Sequence, residues 1–197
     1  MVFSAPLHAQ VEEEDAGRNA KDTVVRIDER RFIYRGNIYK EGSPYLTLGY
    51  GVGMNLAQDT IEQNLIISYH HFIGGVGVGA GYHTSKPNKV WWRENQTLVD
   101  FYLSVGKRWE STKYNISIFA GPSYVTGGYV EYVESLGERR YFPIRTVGGL
   151  AEAQFTYRIT YDLGVGVSAY TSFNKFIQTV GMQIHLFFST AFVRSYE

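Results

Sequence analysis

Read alternately, residues Tyr45 to Leu56 (YLTLGYGVGMNL) separate into two strings. One is Leu46, Leu48, Tyr50, Val52, Met54, Leu56; the other is Tyr45, Thr47, Gly49, Gly51, Gly53, Asn55. Alternation with period two is the mark of a strand whose faces meet different surroundings. One face here is large and apolar and the other nearly bare, although glycine inside a strand costs backbone entropy and packs against nothing. The pattern returns in seven further segments, roughly 62–70, 74–83, 98–109, 114–124, 146–157, 162–172 and 179–188. Each is near the ten or so residues that a tilted strand needs to cross a bilayer. None shows helical periodicity. An even number of neighbouring strands with short connections predicts an all-β fold, an eight-stranded antiparallel up-and-down barrel over 45–188.

A barrel in water and a barrel in lipid both alternate, with opposite outcomes. In water the second face is solvated and carries Lys and Glu. Here it carries Gly, Ser, Thr, Asn and Gln, and charges retreat to the segments between strands. That pattern suits an apolar wall toward lipid and a narrow lumen of small polar groups. Inward glycines then leave room for the larger inward residues Tyr102, Phe119, Glu152, Gln154, Tyr170 and His185. Tyr50, Tyr82, Tyr114, Tyr157, Trp91, Trp92 and Trp109 are expected in interfacial girdles near strand ends. A soluble lipocalin-like ligand-binding barrel is the alternative that this pattern disfavours.

No run of 18 or more apolar residues occurs, so no transmembrane helix is expected, which leaves spanning strands open. The formal net charge is zero, which gives no global field for nucleic acid. Cysteine is absent, so neither a disulfide framework nor a Cys-based zinc site is available. Residues 1–10, ending SAPLHAQ, have the small-residue character of the end of a secretory signal. Residues 11–44, with VEEED and RIDERR, are polar and densely charged. They are expected to be a tail or linker with at most one short strand or helical turn. Residues 189–197 form a C-terminal extension.

The last strand, TVGMQIHLFF, resembles the C-terminal insertion signal of bacterial outer-membrane barrels through Thr179, Gly181, Ile184, Leu186 and Phe188. That signal usually ends the chain at the aromatic residue, whereas STAFVRSYE follows here. Over 45–188 the chain is similar to small OmpA/OmpX-like barrels. The resemblance implies residence in the outer membrane of a Gram-negative bacterium, contact with outer-membrane lipid and lipopolysaccharide, and insertion by the barrel-assembly machinery. With a periplasmic N-terminus, the long connections 84–96 and 125–145 lie outside, and the tight ones (HHFIG, RWESTK, YRIT) lie in the periplasm. Long outside and short inside is the usual asymmetry.

Catalytic constellations are few. His83 and Ser85 in YHTSKPN share a face, and outer-membrane lipid A deacylases resemble this in using a His-x-Ser pair with a carboxylate, for which Glu94 or Glu62 are candidates. A lipid-modifying enzyme is therefore the runner-up. His70 and His71 are adjacent and point to opposite faces, so they cannot chelate one metal; at a periplasmic turn they read as interfacial hydrogen-bonders. GGVGVGAG is not followed by a helix and lacks anion-binding geometry. Asp100, Glu152 and Asp162 with Arg108, Arg145 and Arg158 have inward or rim parity, which predicts a salt-bridged lumen plug, with Glu152 the expected central carboxylate bonded to an Arg. His185 and Gln154 complete this polar network. The reading as a whole is a non-enzymatic, non-conducting envelope barrel of structural or accessory role. It needs no cofactor or metal, and a partner would be reached through 11–42 or 125–145.

Overall fold

The computed structural model describes residues 24–73, 75–87, 97–133, 135 and 137–193, without the side chains of 129–133 and 139. Eight strands close a barrel: β4 (Tyr45–Asn55), β5 (Thr60–Ile73), β6 (Val76–Pro87), β7 (Leu98–Glu110), β8 (Tyr114–Val133), β9 (Glu138–Arg158), β10 (Leu163–Asn174) and β11 (Gln178–Ser189). Each pairs antiparallel with its neighbour in sequence, and β11 returns to β4 along the register Thr179↔Asn55 to Ser189↔Tyr45, leaving no free edge around the wall. All eight expected strands are present, in the expected order.

The barrel is inverted relative to a soluble core. Leu48, Ile67, Leu103, Ile118, Val167 and Ile184 face outward and are exposed, Leu103 to 65%. Asn64, Ser68, Asp100, Gln154, Thr156 and His185 are buried inside. The bare face of β4 also finds its reason. A Cβ on Gly53 would come within 2.5 Å of the Tyr170 hydroxyl, and one on Gly81 of β6 within 2.2 Å of the Tyr102 ring. Large inward rings lie across the glycines of the next strand or the one beyond it, so the two sets occupy one layer.

Three departures from the sequence reading concern the ends. First, 125–145 is not a loop. The β8–β9 ladder runs from Tyr114↔Tyr157 to Val133↔Glu138, although β7 stops pairing with β8 at Gly127 and β10 stops pairing with β9 at Gly148. The six pairs beyond Gly127 carry the hairpin about 20 Å past the rim, at the usual rise per residue. Val–Tyr repeats opposite Arg, Tyr and Phe make good strand residues, which is why the stretch pairs.

Second, much of the charged tail is folded. β1 (Val24–Arg26), β2 (Arg31–Tyr34), β3 (Asn37–Lys40) and β12 (Phe192–Val193) form a separate four-stranded sheet at the opposite end from the hairpin. β2 and β3 are joined by a two-residue turn, Arg35–Gly36, both at positive φ (52° and 80°), as tight hairpins require. Thus the N-terminal segment holds three strands where one at most was expected. The C-terminal extension supplies the fourth by pairing Phe192 with Tyr39. The expected signal remnant 1–10 lies outside the described residues, as do 88–96 and 194–197.

Third, β5 continues through the expected HHFIG turn to Ile73, and β6 runs to Pro87.

Candidate functional site

Inward parity along eight strands stacks the lumen side chains into layers. Nearest the hairpin end, Glu62 accepts hydrogen bonds from Asn55 Nδ2 (3.0 Å), Thr179 Oγ1 (3.4 Å) and the Ser85 hydroxyl. Below it, His83 Nδ1 meets Asp100 Oδ2 at 2.8 Å, and Ser172 donates to the same oxygen at 2.8 Å. An apolar layer of Ile66, Tyr102, Leu150 and Tyr170 follows. Then Gln154 donates to Glu152 Oε1 (2.8 Å), while Tyr45 (3.2 Å) and Ser117 (3.0 Å) donate to Gln154 Oε1. Beneath lies an aromatic layer in which His70 stacks on Tyr45 (4.7 Å) and packs on Phe119 (4.0 Å), next to Phe72 and Phe187. Ile66, Phe187, Asn115, Ser117 and Thr156 are 0% exposed, so no water-sized sphere reaches them.

Several sequence expectations change here. Glu152 is bonded to Gln154, not to an arginine. The arginines with inward parity are held elsewhere: Arg108 and Arg158 converge on Glu110 Oε2 at the sheet end, at 2.6 and 2.8 Å. Arg145 is exposed, and Asp162 caps the Ala191 amide at 3.0 Å. His70 is a lumen residue bonded to Ser68 (3.0 Å), and only His71 faces outward. His83 and Ser85 are both buried in the lumen, each engaged by a different carboxylate, with no hydrogen bond between them. Glu94 lies outside the described residues, as do Trp91 and Trp92. Trp109, Tyr114 and Tyr157 cluster at the sheet end, Tyr114 and Tyr157 with centroids 5.8 Å apart; Tyr50 and Tyr82 sit halfway along β4 and β6 instead of near an end. On β11, Ile184, Leu186 and Phe188 face outward and Thr179 inward, with Gly181 beside the Tyr170 ring.

The residue that sequence reasoning missed is Glu110. It is one step beyond the expected end of its strand, yet it has the inward parity of Asp100, Tyr102, Ser104 and Arg108. Besides both arginines it accepts from the Tyr161 hydroxyl (3.0 Å) and the Gly42 amide (2.6 Å). Arg108 also donates to the Ser43 carbonyl (2.9 Å) and stands over the Tyr45 ring (4.9 Å); Arg158 stands over Tyr161 (4.0 Å). This cluster joins barrel and terminal sheet. Tyr161, from the β9–β10 turn, inserts into the sheet's own core of Phe32, Tyr34, Tyr39 and Ala191, with Phe32 edge-on at 4.9 Å. Outside the membrane-spanning strands, burial pushes the Tyr161 hydroxyl and the Asp162 carboxyl pKa upward.

Beside this junction opens a cleft of about 570 Å³ lined by Arg30, Lys40, Glu41, His71, Phe72 and Arg108, among others. The outer face of the terminal sheet carries a row of aliphatic residues, Val25, Ile33, Ile38 and Val193, in register across all four strands. Among the described residues no group of three or more His, Asp or Glu could hold a metal ion.

No protein-family description matches the sequence, and no curated protein does. Solved structures do match the fold. Neisserial surface protein A aligns with a TM-score of 0.56 at 10% identity, over 74% of this chain and 95% of that one. Ail, the attachment invasion locus protein of Yersinia pestis, aligns with a TM-score of 0.53 at 9% identity, over 76% and 98%. The N-terminal β-barrel domain of Pseudomonas aeruginosa OprF aligns with a TM-score of 0.50 at 10% identity, over 75% and 100%. The chain therefore has the fold of the small eight-stranded outer-membrane barrels.

Proposed function

We propose that the chain is an integral outer-membrane barrel of a Gram-negative envelope, non-enzymatic and non-conducting, with a structural or accessory role. The observation that carries this reading is the inverted barrel: a largely apolar exterior around a lumen of almost wholly buried polar and aromatic side chains. In water such an exterior would far exceed the apolar patch that a soluble monomer tolerates. In lipid it is the expected wall. The lumen side chains are almost wholly buried, Asp100, Tyr102 and Glu152 to 3% exposure, which supports a closed barrel, and eight strands enclose only enough space to fill with side chains.

In this reading the terminal sheet lies in the periplasm and the β8–β9 hairpin projects outside. Lipid and lipopolysaccharide surround the wall, and the barrel-assembly machinery engages β11 during insertion. An envelope partner would meet either the aliphatic row of the terminal sheet or the hairpin within 125–145. A hydrolytic role for His83 and Ser85 has little support, since a substrate acyl chain in the bilayer would have to enter the filled lumen to reach them.

The test combines three measurements. Purified protein should migrate differently on gels before and after boiling, give no steady current in planar bilayers, and leave the lipid A mass spectrum of its host unchanged. A stable ion-selective conductance would make it a pore. Loss of lipid A acyl chains dependent on Ser85 would make it an enzyme. For orientation, protease added to intact cells should cut near Arg140 and spare 111–113.

A further inference from the structure

The junction cleft has a feature that closing the barrel does not require. Its upper wall includes His71 of β5, whose outward neighbours Tyr69 and Ile73 belong to the apolar exterior, so the cleft opens where the wall meets the membrane surface. Its roof is the terminal sheet, which brings Arg30 and Lys40 over that opening. The Glu41 amide bonds the Arg30 carbonyl at 2.7 Å, and Asp28 Oδ1 accepts from the Arg30 amide at 2.9 Å, so the backbones bearing the two cations are fixed side by side. Yet among the described residues neither the Arg30 guanidinium nor the Lys40 ammonium has an ion pair or side-chain hydrogen bond. Two carboxylates of the cleft are already paired: Glu41 with Arg26 at 3.1 Å, and Glu110 with Arg108 and Arg158. The charges that line the cleft balance, Arg30, Lys40 and Arg108 against Glu29, Glu41 and Glu110, but those ion pairs already engage Glu41 and Glu110.

We propose that this cleft holds the phosphate of a glycerophospholipid from the adjacent leaflet, with Arg30 and Lys40 as its donors and the acyl chains lying along Tyr69 and Ile73. This rests on the membrane reading above. The site is rimmed by donors without partners and open sideways to the apolar wall. That combination suits a group with an anionic head and an apolar tail. Arginine and lysine are the usual phosphate ligands, the first by its planar fork and the second as a point charge. The volume lies within the range of small-ligand sites, enough for a headgroup. Arg108 lies in the floor with its charge met by Glu110 and its other donors turned to Ser43 and Asn115, so Arg30 and Lys40 are left to hold the phosphate.

The experiment reconstitutes the protein in nanodiscs of phosphatidylcholine with a minor fraction of phosphatidylglycerol, then counts the lipids retained by native mass spectrometry. Wild type should retain phosphatidylglycerol roughly thirtyfold above its bulk ratio, the order two basic side chains give at an anionic surface. Arg30→Gln combined with Lys40→Gln should fall to the bulk ratio, whereas Arg140→Gln at the opposite end should keep the enrichment. No enrichment in wild type, or enrichment undiminished in the double variant, overturns the site. Displacement of the lipid by millimolar inorganic phosphate would make it a free-anion site and overturn the lipid assignment. Gel migration before and after boiling reports the barrel separately. Protein that inserts without enrichment overturns this inference alone; wild type that does not insert overturns the membrane reading and this one with it.

Discussion

The barrel and the terminal sheet follow the same alternation with opposite sign. In the barrel, Leu103 and Ile184 face out while Asp100 and Gln154 are buried. In the terminal sheet, Phe32, Tyr34 and Tyr39 are buried against Tyr161 while Arg31 and Lys40 face out. One chain thus holds a barrel with its apolar face outward and a small sheet with its aromatic face inward, 4 residues apart between Lys40 and Tyr45. The difference teaches that strand periodicity reports only that two faces differ. Which face is inside is decided by the medium, read from the chemistry of the less apolar face. The two regions meet at Glu110, whose carboxylate is bonded from both sides.

That junction should show the largest effect. Replacing Glu110 by Ala leaves the largely buried Arg108 and Arg158 side chains facing each other without a counter-charge, and removing one member of a buried charge cluster costs about 3–5 kcal/mol. Urea unfolding in lipid vesicles should report that loss, together with protease cleavage between residues 40 and 45. Unchanged stability would mean that the two sheets are joined only by apolar contact through Tyr161.

The comparison itself is tested next. Val167 is outward on β10 and lies level with Tyr50, halfway along β4, through its partner Ile184, so Val167→Arg should cost about 2–4 kcal/mol in lipid, the range for arginine near the bilayer midplane. Val25→Arg, equally outward but on the terminal sheet, should stay within about 0.5 kcal/mol. Equal costs at the two positions would remove the distinction between a lipid face and a water face. A third substitution probes the lumen: Gly81→Ala puts a methyl within 2.2 Å of the Tyr102 ring, and overpacking of this kind costs about 1–3 kcal/mol. Insertion and folding as efficient as wild type would mean the lumen has slack that its buried layers do not suggest.

Strand count, order and facing were legible because each of the eight segments alternates on its own, without reference to partners. Gly53 and Gly81 marked the bare face, but which rings lie over them, Tyr170 from two strands away and Tyr102 from the next strand, emerges only with the register. The lumen composition was legible and its pairing was not. Parity places Glu152 inside, but whether an arginine reaches it depends on strand stagger, and Glu110 already holds Arg108 and Arg158 at the rim. The terminal sheet escaped because its strands are two to four residues long, too short for period two to stand out among charges, and its last strand comes from the far end of the chain. The hairpin within 125–145 escaped because its glycines and charges suggested a loop, whereas the ladder with its partner strand overrides them.

The smallest effect expected is in the terminal sheet and depends on pH. Asp28 accepts from the amides of Arg30 (2.9 Å) and Arg31 (2.7 Å) and from Arg31 Nε (2.6 Å). These bonds, led by the Arg30 amide, lower its carboxyl to about 2 from the usual 3.8. A carboxylate whose folded pKa is depressed adds stability that is complete above the unfolded pKa and is lost as pH falls through the folded one. The turn at 28–31, which presents Arg30 to the cleft, should therefore keep its order down to about pH 4 and lose it progressively between there and about pH 2. Asp28→Ala should lack that step at every pH. The barrel ladder should not respond, since Asp28 bonds only within its own turn. Chemical shifts of the Arg30 and Arg31 amides across this range would show the transition. A midpoint at the ordinary carboxylate value would mean that the side chain is not held by these donors, and that the cleft's roof is set by the Arg30–Glu41 backbone bond alone.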